Sequence, residues 1–263
     1  MLEPSVSSVS TPLGEVHFRR AGAGDPVVFL HDDTGPHAWA AFPEEVAARA
    51  DLVALDIPGF GASPRAEWAR HPRDLAAIVL AALRELGLER ATLVGAGFGG
   101  WVAAEIASFA HPELAALVLV APAGLRPDEG FILDQVLEEP VAYLRAGFSS
   151  DPAFEAAYPG AASDRALKAR LDAARETVAR VAWKPYMYSY ELEETLKAVA
   201  TPATLVWGTA DAVIPPSTAA RWRERLQNCW VELMHGGGHA LDLERPGDLA
   251  QIVIDASESS RRA

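Results

Sequence analysis

The stretch that decides the fold reads Gly95-Ala-Gly-Phe-Gly-Gly100 and lies between two runs of different character. The run before it, Ala91–Gly95, is short, apolar and strand-like, whereas Phe98–Ala110 has the pattern of a helix. Small residues allow the backbone of a sharp strand-to-helix turn to approach its neighbours closely. The stretch therefore predicts a tight turn between a buried strand and a helix.

The same alternation of strand and helix runs through most of the chain. Helical patterns separate most of the short apolar runs, which indicates an α/β fold with a mainly parallel, doubly wound sheet. The more polar run Val6–Arg20, with Gly14 at its turn, predicts an antiparallel hairpin at the sheet edge. The runs expected to form the buried strands are Val27–Leu30, Leu52–Leu55, Thr92–Val94, Leu117–Val120, Thr204–Trp207 and Trp230–Leu233.

The alternation breaks after Pro122. Residues 126–198 are rich in helical patterns and aromatic side chains and give no convincing strand signal. They predict a helical lid inserted between two parts of one core, residues 1–125 and 199–263. We expect most of its aromatic side chains to pack together and some to line a pocket.

Composition narrows the classes of function. The chain has 263 residues, a net charge of −13 and a pI near 5.0, which argues against nucleic acid or an anionic membrane as a partner. Its single cysteine, Cys229, cannot form an internal disulfide, and the first residues show no signal-peptide pattern. We expect a cytoplasmic protein, a monomer or homodimer, that acts on a small molecule.

Four separated segments carry one resemblance. They are His31 directly after a strand, Asp56–Ser63, the turn at Gly95–Gly100, and a C-terminal pair of loops bearing Asp211 and His239. In this order and spacing they resemble the α/β-hydrolase superfamily. The resemblance covers nearly the whole chain outside the insertion and implies the α/β-hydrolase fold with a helical lid. It also implies that Asp211 orients His239 as a catalytic base.

The chain departs from the family at the nucleophile. The family turn reads G-x-S-x-G, and Gly97 stands where the serine is expected. Ser63 is better explained as a turn-stabilising hydroxyl and Cys229 as a small buried hydrophobe. We therefore predict low ordinary serine-esterase activity, with Gly97 as a vacant nucleophile position.

A second departure lies beside the expected oxyanion site. The resemblance implies that the backbone N–H groups of Asp32 and Phe98 hold the anion, with His31 and Asp33 alongside. Two carboxylates there would repel a developing oxyanion. We expect at least one of them to cap a helix that begins near Pro36, and the other is a candidate acid or base facing the pocket.

Gly95, Gly97 and Gly100 also match the dinucleotide fingerprint G-x-G-x-x-G. The match falls in a late strand–helix unit, and no acid follows the next strand, so we predict no nucleotide cofactor. No metal site is predicted either.

Three functions remain open. The first is a serine-free enzyme in which His239 and Asp211 act on a small, largely apolar carbonyl or ester compound, by water-mediated hydrolysis, C–C cleavage or lyase chemistry. The second is a serine hydrolase whose nucleophile was removed by engineering. The third is a non-catalytic binding protein that keeps the pocket.

Overall fold

A computed structural model describes residues 2–88, 90–109 and 114–260. Eight strands form one sheet in the order β1-β2-β4-β3-β5-β6-β7-β8, in which only the pairs β1–β2 and β2–β4 are antiparallel. The predicted mainly parallel sheet with a hairpin at its edge is confirmed. The strands are β1 Ser5–Thr11, β2 Gly14–Ala21, β3 Pro26–Leu30, β4 Asp51–Leu55, β5 Ala91–Ala96, β6 Leu114–Val120, β7 Ala203–Gly208 and β8 Cys229–Met234.

Helices cover both faces of the sheet. Alternate residues of β3 point to opposite sides, so Val28 packs among residues of α2 and α3 while Val27 packs among residues of α1 and α10. Burial on both faces explains why the central strands are continuous apolar runs. The helices are α1 Ala41–Ala47, α2 Pro72–Glu85, α3 Gly97–Ser108, α4 Pro140–Ala146, α5 Asp151–Ala157, α6 Arg165–Val181, α7 Tyr190–Thr195, α8 Thr218–Arg225, α9 Leu241–Glu244 and α10 Pro246–Ser260.

Some helix ends differ from the expectation. The helix expected to begin near Pro36 is α1, which begins at Ala41 and has no side-chain cap on Ala40. The interpretation of Asp32 or Asp33 as its cap is therefore wrong, because neither side chain reaches that end. The predicted end of α3 at Ala110 lies outside the described residues, and α10 had no clear signal in the sequence.

Residues 126–198 contain α4 to α7 and two short 3₁₀ turns between β6 and β7. Aromatic side chains of this helical segment, including Phe148, Phe154 and Tyr158, pack with leucines into a small core of their own. Other aromatic side chains of the segment, such as Phe131, are exposed. Packing within this small core thus accounts for part of the aromatic cluster, whereas we expected it to account for most.

No helix among residues 2–88, 90–109 and 114–260 is long and apolar enough to cross a membrane.

Candidate active site

The turn between β5 and α3 is as tight as the sequence predicts. A methyl group built on Gly95 would collide with the backbone of Gly99, so only glycine fits there. Gly97 opens α3 with a φ of +48°, a conformation that side chains rarely adopt. A methyl group built on Gly97 would overlap the carboxylate of Asp32. The space beside Gly97 is therefore filled by another residue's side chain.

The Asp32 carboxylate reaches that space from the loop after β3. Its Oδ1 accepts hydrogen bonds from the backbone N–H groups of Phe98 and Asp33, each at 2.7 Å. Phe98 lies in the first turn of α3, where the helix dipole also favours an anion. Two convergent N–H donors exist here, but they belong to Phe98 and Asp33 rather than to Phe98 and Asp32 as expected, and they hold an oxygen of Asp32 itself.

The second oxygen of Asp32 faces His239. Its Oδ2 lies 3.1 Å from Nε2, and Nδ1 lies 2.8 Å from Oδ2 of Asp211. The other oxygen of Asp211 accepts hydrogen bonds from the N–H groups of Val213 and Ile214, which fix the carboxylate after β7. His239 therefore stands between two carboxylates, one after β3 and one after β7.

The contacts among Asp32, His239 and Asp211 favour the charged forms of His239 and Asp32. Burial works against protonation of His239, but Asp211 and Asp32 together raise its pKa well above the ordinary value. Burial would raise the pKa of Asp32, yet His239 and the two N–H donors lower it to about 2. Opposite charges on His239 and Asp32 therefore stabilise each other within the array formed by Asp32, His239 and Asp211.

Asp33 points to a different set of partners. Its Oδ2 accepts hydrogen bonds from the hydroxyl of Tyr143 at 2.6 Å and from the amide of Gln135 at 3.0 Å. Oδ1 is buried without a hydrogen-bond partner. Burial and the charge of Asp32 raise the pKa of Asp33 well above its usual range. The surroundings of Asp33 thus favour its neutral form, and its side chain ties the core to the helical segment.

His31 supports the loop rather than facing the array. Its Nε2 accepts a hydrogen bond from the N–H of Ile57 at 3.0 Å, so Nδ1 carries the proton that is donated to the carbonyl of Asp32 at 2.7 Å. Burial lowers its pKa, in keeping with a neutral ring. Both nitrogens are used to hold the backbone that presents Asp32.

Ser63 and Cys229 are not substitutes for a missing nucleophile. The Ser63 hydroxyl donates to the carbonyl of Asp56 at 2.6 Å and accepts from the N–H of His17 at 2.8 Å, which confirms its structural interpretation. Burial raises the pKa of the Cys229 thiol to about 11, on the edge strand β8.

The array opens into a cavity of about 20 Å³, enough for about one water molecule. Asp32 and His239 line it together with residues of the helical segment and of the loop that follows His239. One of these, Asp242, was not singled out in the sequence because it belongs to no motif. The remaining lining residues are Thr34, His37, Ala96, Tyr143, Leu144, Gly147, Val213, Ala240 and Leu243.

Comparison with known proteins identifies the family. Residues 27–252 match the model of the Alpha/beta hydrolase family. The chain belongs to the α/β-hydrolase family. Membership accounts for the mostly parallel eight-stranded sheet flanked by helices.

Two curated relatives illustrate the spread of this α/β-hydrolase family. The chain is 28% identical over 242 residues to the dihydrolipoyllysine-residue acetyltransferase component of the acetoin cleaving system of Pseudomonas putida, with 88% of this chain and 63% of that protein covered. It is 27% identical over 261 residues to the 2-hydroxy-6-oxononadienedioate/2-hydroxy-6-oxononatrienedioate hydrolase of Paraburkholderia phymatum, covering 91% of this chain and 90% of that enzyme. The chain thus spans less than two thirds of the first of these relatives.

Solved structures share the fold. A membrane phospholipase A described as a bacterial virulence factor superposes with a TM-score of 0.81 at 24% identity, covering 99% of this chain and 88% of that one. A meta-cleavage product hydrolase from Pseudomonas fluorescens superposes with a TM-score of 0.76 at 19% identity, with 97% and 98% covered. At these identities the likeness concerns the fold alone.

Proposed function

We propose that this α/β-hydrolase is a serine-free hydrolase in which the carboxylate of Asp32 is the nucleophile. One observation carries the proposal: Asp32 fills the space that a side chain at position 97 would need. Its Oδ1 is held by two N–H groups, and Oδ2 faces the cavity beside His239. Carboxylates are established nucleophiles in enzymes that form covalent intermediates.

The charge state of Asp32 suits this role. A pKa of about 2 keeps the carboxylate ionised at neutral pH, and the ionised form is the nucleophilic one. The same low pKa makes it a poor base, since an effective base has a pKa near the working pH. Attack on a carbon held close to Oδ2 therefore suits Asp32 better than removal of a proton.

The N–H groups that hold Asp32 select the substrate class. Attack on a carbonyl would place its oxyanion against donors that Oδ1 already occupies, and the carboxylate charge would repel it. A tetrahedral carbon with a displaceable halide or an epoxide oxygen develops no such oxyanion at that place. Apolar lining residues such as Ala96, Leu144 and Val213 suit a small, largely apolar body. Because the cavity holds about one water molecule, Tyr143 and Leu144 of α4 must move to admit it.

The second step restores the role of His239 as a base. Once Asp32 is an ester, only Asp211 remains to stabilise the imidazolium, so the pKa of His239 falls and His239 gives up its proton, to solvent when the leaving group is a halide. Neutral His239 then takes a proton from water, and the resulting hydroxide attacks Cγ of Asp32. The oxyanion forms on Oδ1, which already accepts hydrogen bonds from the N–H groups of Phe98 and Asp33. These two donors stabilise the negative charge as it develops. Collapse of this intermediate expels the product alkoxide, which takes the proton held by His239. The Asp32 carboxyl group then protonates His239 again, which regenerates the starting carboxylate.

Trapping the ester tests the proposal. The variant His239→Gln keeps a polar side chain but cannot act as a base, so treatment with benzyl chloride or styrene oxide should leave a stable adduct on Asp32, seen by peptide mass spectrometry. The matched control is His235→Gln, an exposed histidine of the same loop, which should accumulate none. Absence of the adduct in folded His239→Gln, or an adduct that persists in Asp32→Asn, would overturn the proposal.

The curated relative that hydrolyses a 6-oxo compound favours a second candidate. In that candidate His239 and Asp211 activate water against a carbonyl or ester, with Asp32 displaced from the two N–H groups. Removal of Asp32 would then preserve or increase turnover of 4-nitrophenyl acetate. The overlap between Asp32 and any side chain at position 97 weighs against a serine removed by engineering. Failure of every probe to turn over or to label the chain would instead favour a protein that only binds.

A further inference from the structure

A second carboxyl group, that of Asp242, lines the cavity beside that of Asp32. Asp242 lies in the first turn of α9, three residues after His239, and lines the same cavity as Asp32 and His239. It also lines an adjoining cavity of about 20 Å³, in which Arg19, His31 and His37 are its polar neighbours. Asp242 therefore stands at the wall between the catalytic cavity and a second polar cavity.

The surroundings of Asp242 favour its protonated form, whereas those of Asp32 favour the ionised form. Burial and the charge of Asp32 raise the pKa of Asp242 to about 6, against the lowering effects of His239 and of the backbone N–H groups of Asp242 and Leu243. Arg19, His31 and His37 face it from the adjoining cavity, and Tyr158 lies near enough to feel its charge. Two carboxyl groups of one site with pKa values pushed apart divide into an acid and an ionised partner.

The other candidates for an acid in this cavity are already engaged. Tyr143 donates its hydroxyl hydrogen to Asp33, and burial raises its pKa well above 10. Both ring nitrogens of His239 face carboxylates. Burial, with Arg170 nearby, lowers the pKa of His37 to about 3, so His37 carries no spare proton. Among the residues that line the catalytic cavity, Asp242 is the acid with a proton to give.

We propose that Asp242 is the general acid that protonates the leaving oxygen when Asp32 opens an epoxide. This inference rests on the proposed function. Oδ2 of Asp32 forms a bond to the epoxide carbon, the C–O bond breaks, and its electron pair on oxygen takes the proton of Asp242. His239 then gives its own proton to the Asp242 carboxylate. The neutral His239 can now act as the base that activates water. Epoxide and water give a diol, and every group regains its starting charge.

The leaving group provides the test, because a chloride needs no proton whereas an epoxide oxygen does. Asp242→Asn should reduce kcat on styrene oxide by about a hundredfold or more, the usual contribution of a general acid, and should reduce kcat on benzyl chloride far less. Asp242→Glu should recover part of the loss. The matched control Asp248→Asn, an exposed acid on α10, should affect neither probe.

The pH profile gives a second readout. With styrene oxide, kcat of the unaltered chain should fall as the pH rises through about 6, since the protonated form of Asp242 is required. The benzyl chloride profile and both profiles of Asp242→Asn should lack this fall. Equal losses on both probes would mean a structural role, and no loss on styrene oxide would exclude the acid role. In either case a benzyl adduct on Asp32 in His239→Gln would leave the proposed function standing, whereas its absence would remove both.

Discussion

Asp32 and Asp33 are adjacent in the chain, yet they end in opposite chemical states. Asp32 meets two backbone N–H groups and an imidazolium, so its charge is stabilised. Asp33 meets a phenol and an amide from the helical segment, and its nearest charge is the carboxylate of Asp32. The comparison teaches that residue type does not assign a role in this loop. The direction of each side chain decides which one is reactive and which one is structural.

The largest effect on turnover is expected from removing the Asp32 carboxylate. Asp32→Asn should lower turnover of benzyl chloride by about ten-thousand-fold, a loss typical of a deleted nucleophile. Asp33→Asn, the matched change one residue away, should keep most of the turnover because Asp33 does not face the array. Steady-state kinetics on both variants, with circular dichroism to verify folding, decides the point. Similar losses in the two would erase the distinction.

Exchanging the two positions tests the occupancy of the site. Gly97→Ser alone should fold poorly, losing about 1–3 kcal/mol of unfolding free energy to backbone strain at positive φ, and more to its overlap with Asp32. Asp32→Ala combined with Gly97→Ser removes the overlap and empties the two N–H groups. That double variant should hydrolyse 4-nitrophenyl acetate with an initial burst. A burst from Gly97→Ser alone would show that Asp32 does not block the space and the N–H groups that a serine at position 97 needs.

The pKa of His239 also distinguishes Asp32 from Asp33. Because two carboxylates raise its pKa, the imidazole should stay protonated through neutral pH in the unaltered chain. Asp32→Asn removes one carboxylate and should lower that pKa, whereas Asp33→Asn should change it less. Nitrogen NMR titration of the ring measures both shifts. Titration of His239 near its ordinary pKa in the unaltered chain would contradict the charged array.

Stability against pH reports on Asp33. Its folded pKa is raised, so the folded chain keeps a proton that the unfolded chain loses above about pH 4. The stability linked to this proton is present below the unfolded pKa and is lost as the pH rises toward the folded value, by at most about 1.4 kcal/mol per pH unit. Asp33→Asn should remove this part of the slope in urea unfolding. An unchanged slope would mean that Asp33 is ionised in the folded chain.

The smallest expected effect comes from the helical segment. Tyr143→Phe deletes one of the two hydrogen bonds to Oδ2 of Asp33 and should cost about 0.5–1.5 kcal/mol, because the bond from Gln135 remains. Turnover of benzyl chloride should change little if the phenol only holds the segment closed. Urea unfolding and kinetics on the same preparation separate the two effects. A loss of turnover as large as that of Asp32→Asn would give Tyr143 a chemical role.

The sequence predicted the fold because its signals are local. Strand runs such as Val27–Leu30 and the glycine turn at Gly95–Gly100 follow from burial and close backbone approach, and they were found within a residue or two. The proximity of Asp211 and His239 followed from motif order. The direction of Asp32 did not, since it depends on how one side chain turns in the assembled site.

Other parts of the site depend on distant segments of the chain. The partners of Asp33, Gln135 and Tyr143, lie more than one hundred residues away. Asp242 stands in no motif, and only the folded chain shows that it borders two cavities. Sequence periodicity carries no information on contacts between side chains that are distant in the chain. The contacts of Asp33 and the position of Asp242 were therefore found only in the folded structure.

A single turnover in heavy-oxygen water tests the central claim most directly. With excess enzyme over benzyl chloride, attack of water on the Asp32 ester should place the heavy oxygen in the Asp32 carboxylate, detected in the peptide that contains it. The product alcohol should carry light oxygen from the enzyme. Heavy oxygen in the alcohol, with an unlabelled Asp32, would mean that water attacks the substrate directly and that Asp32 does not replace the serine.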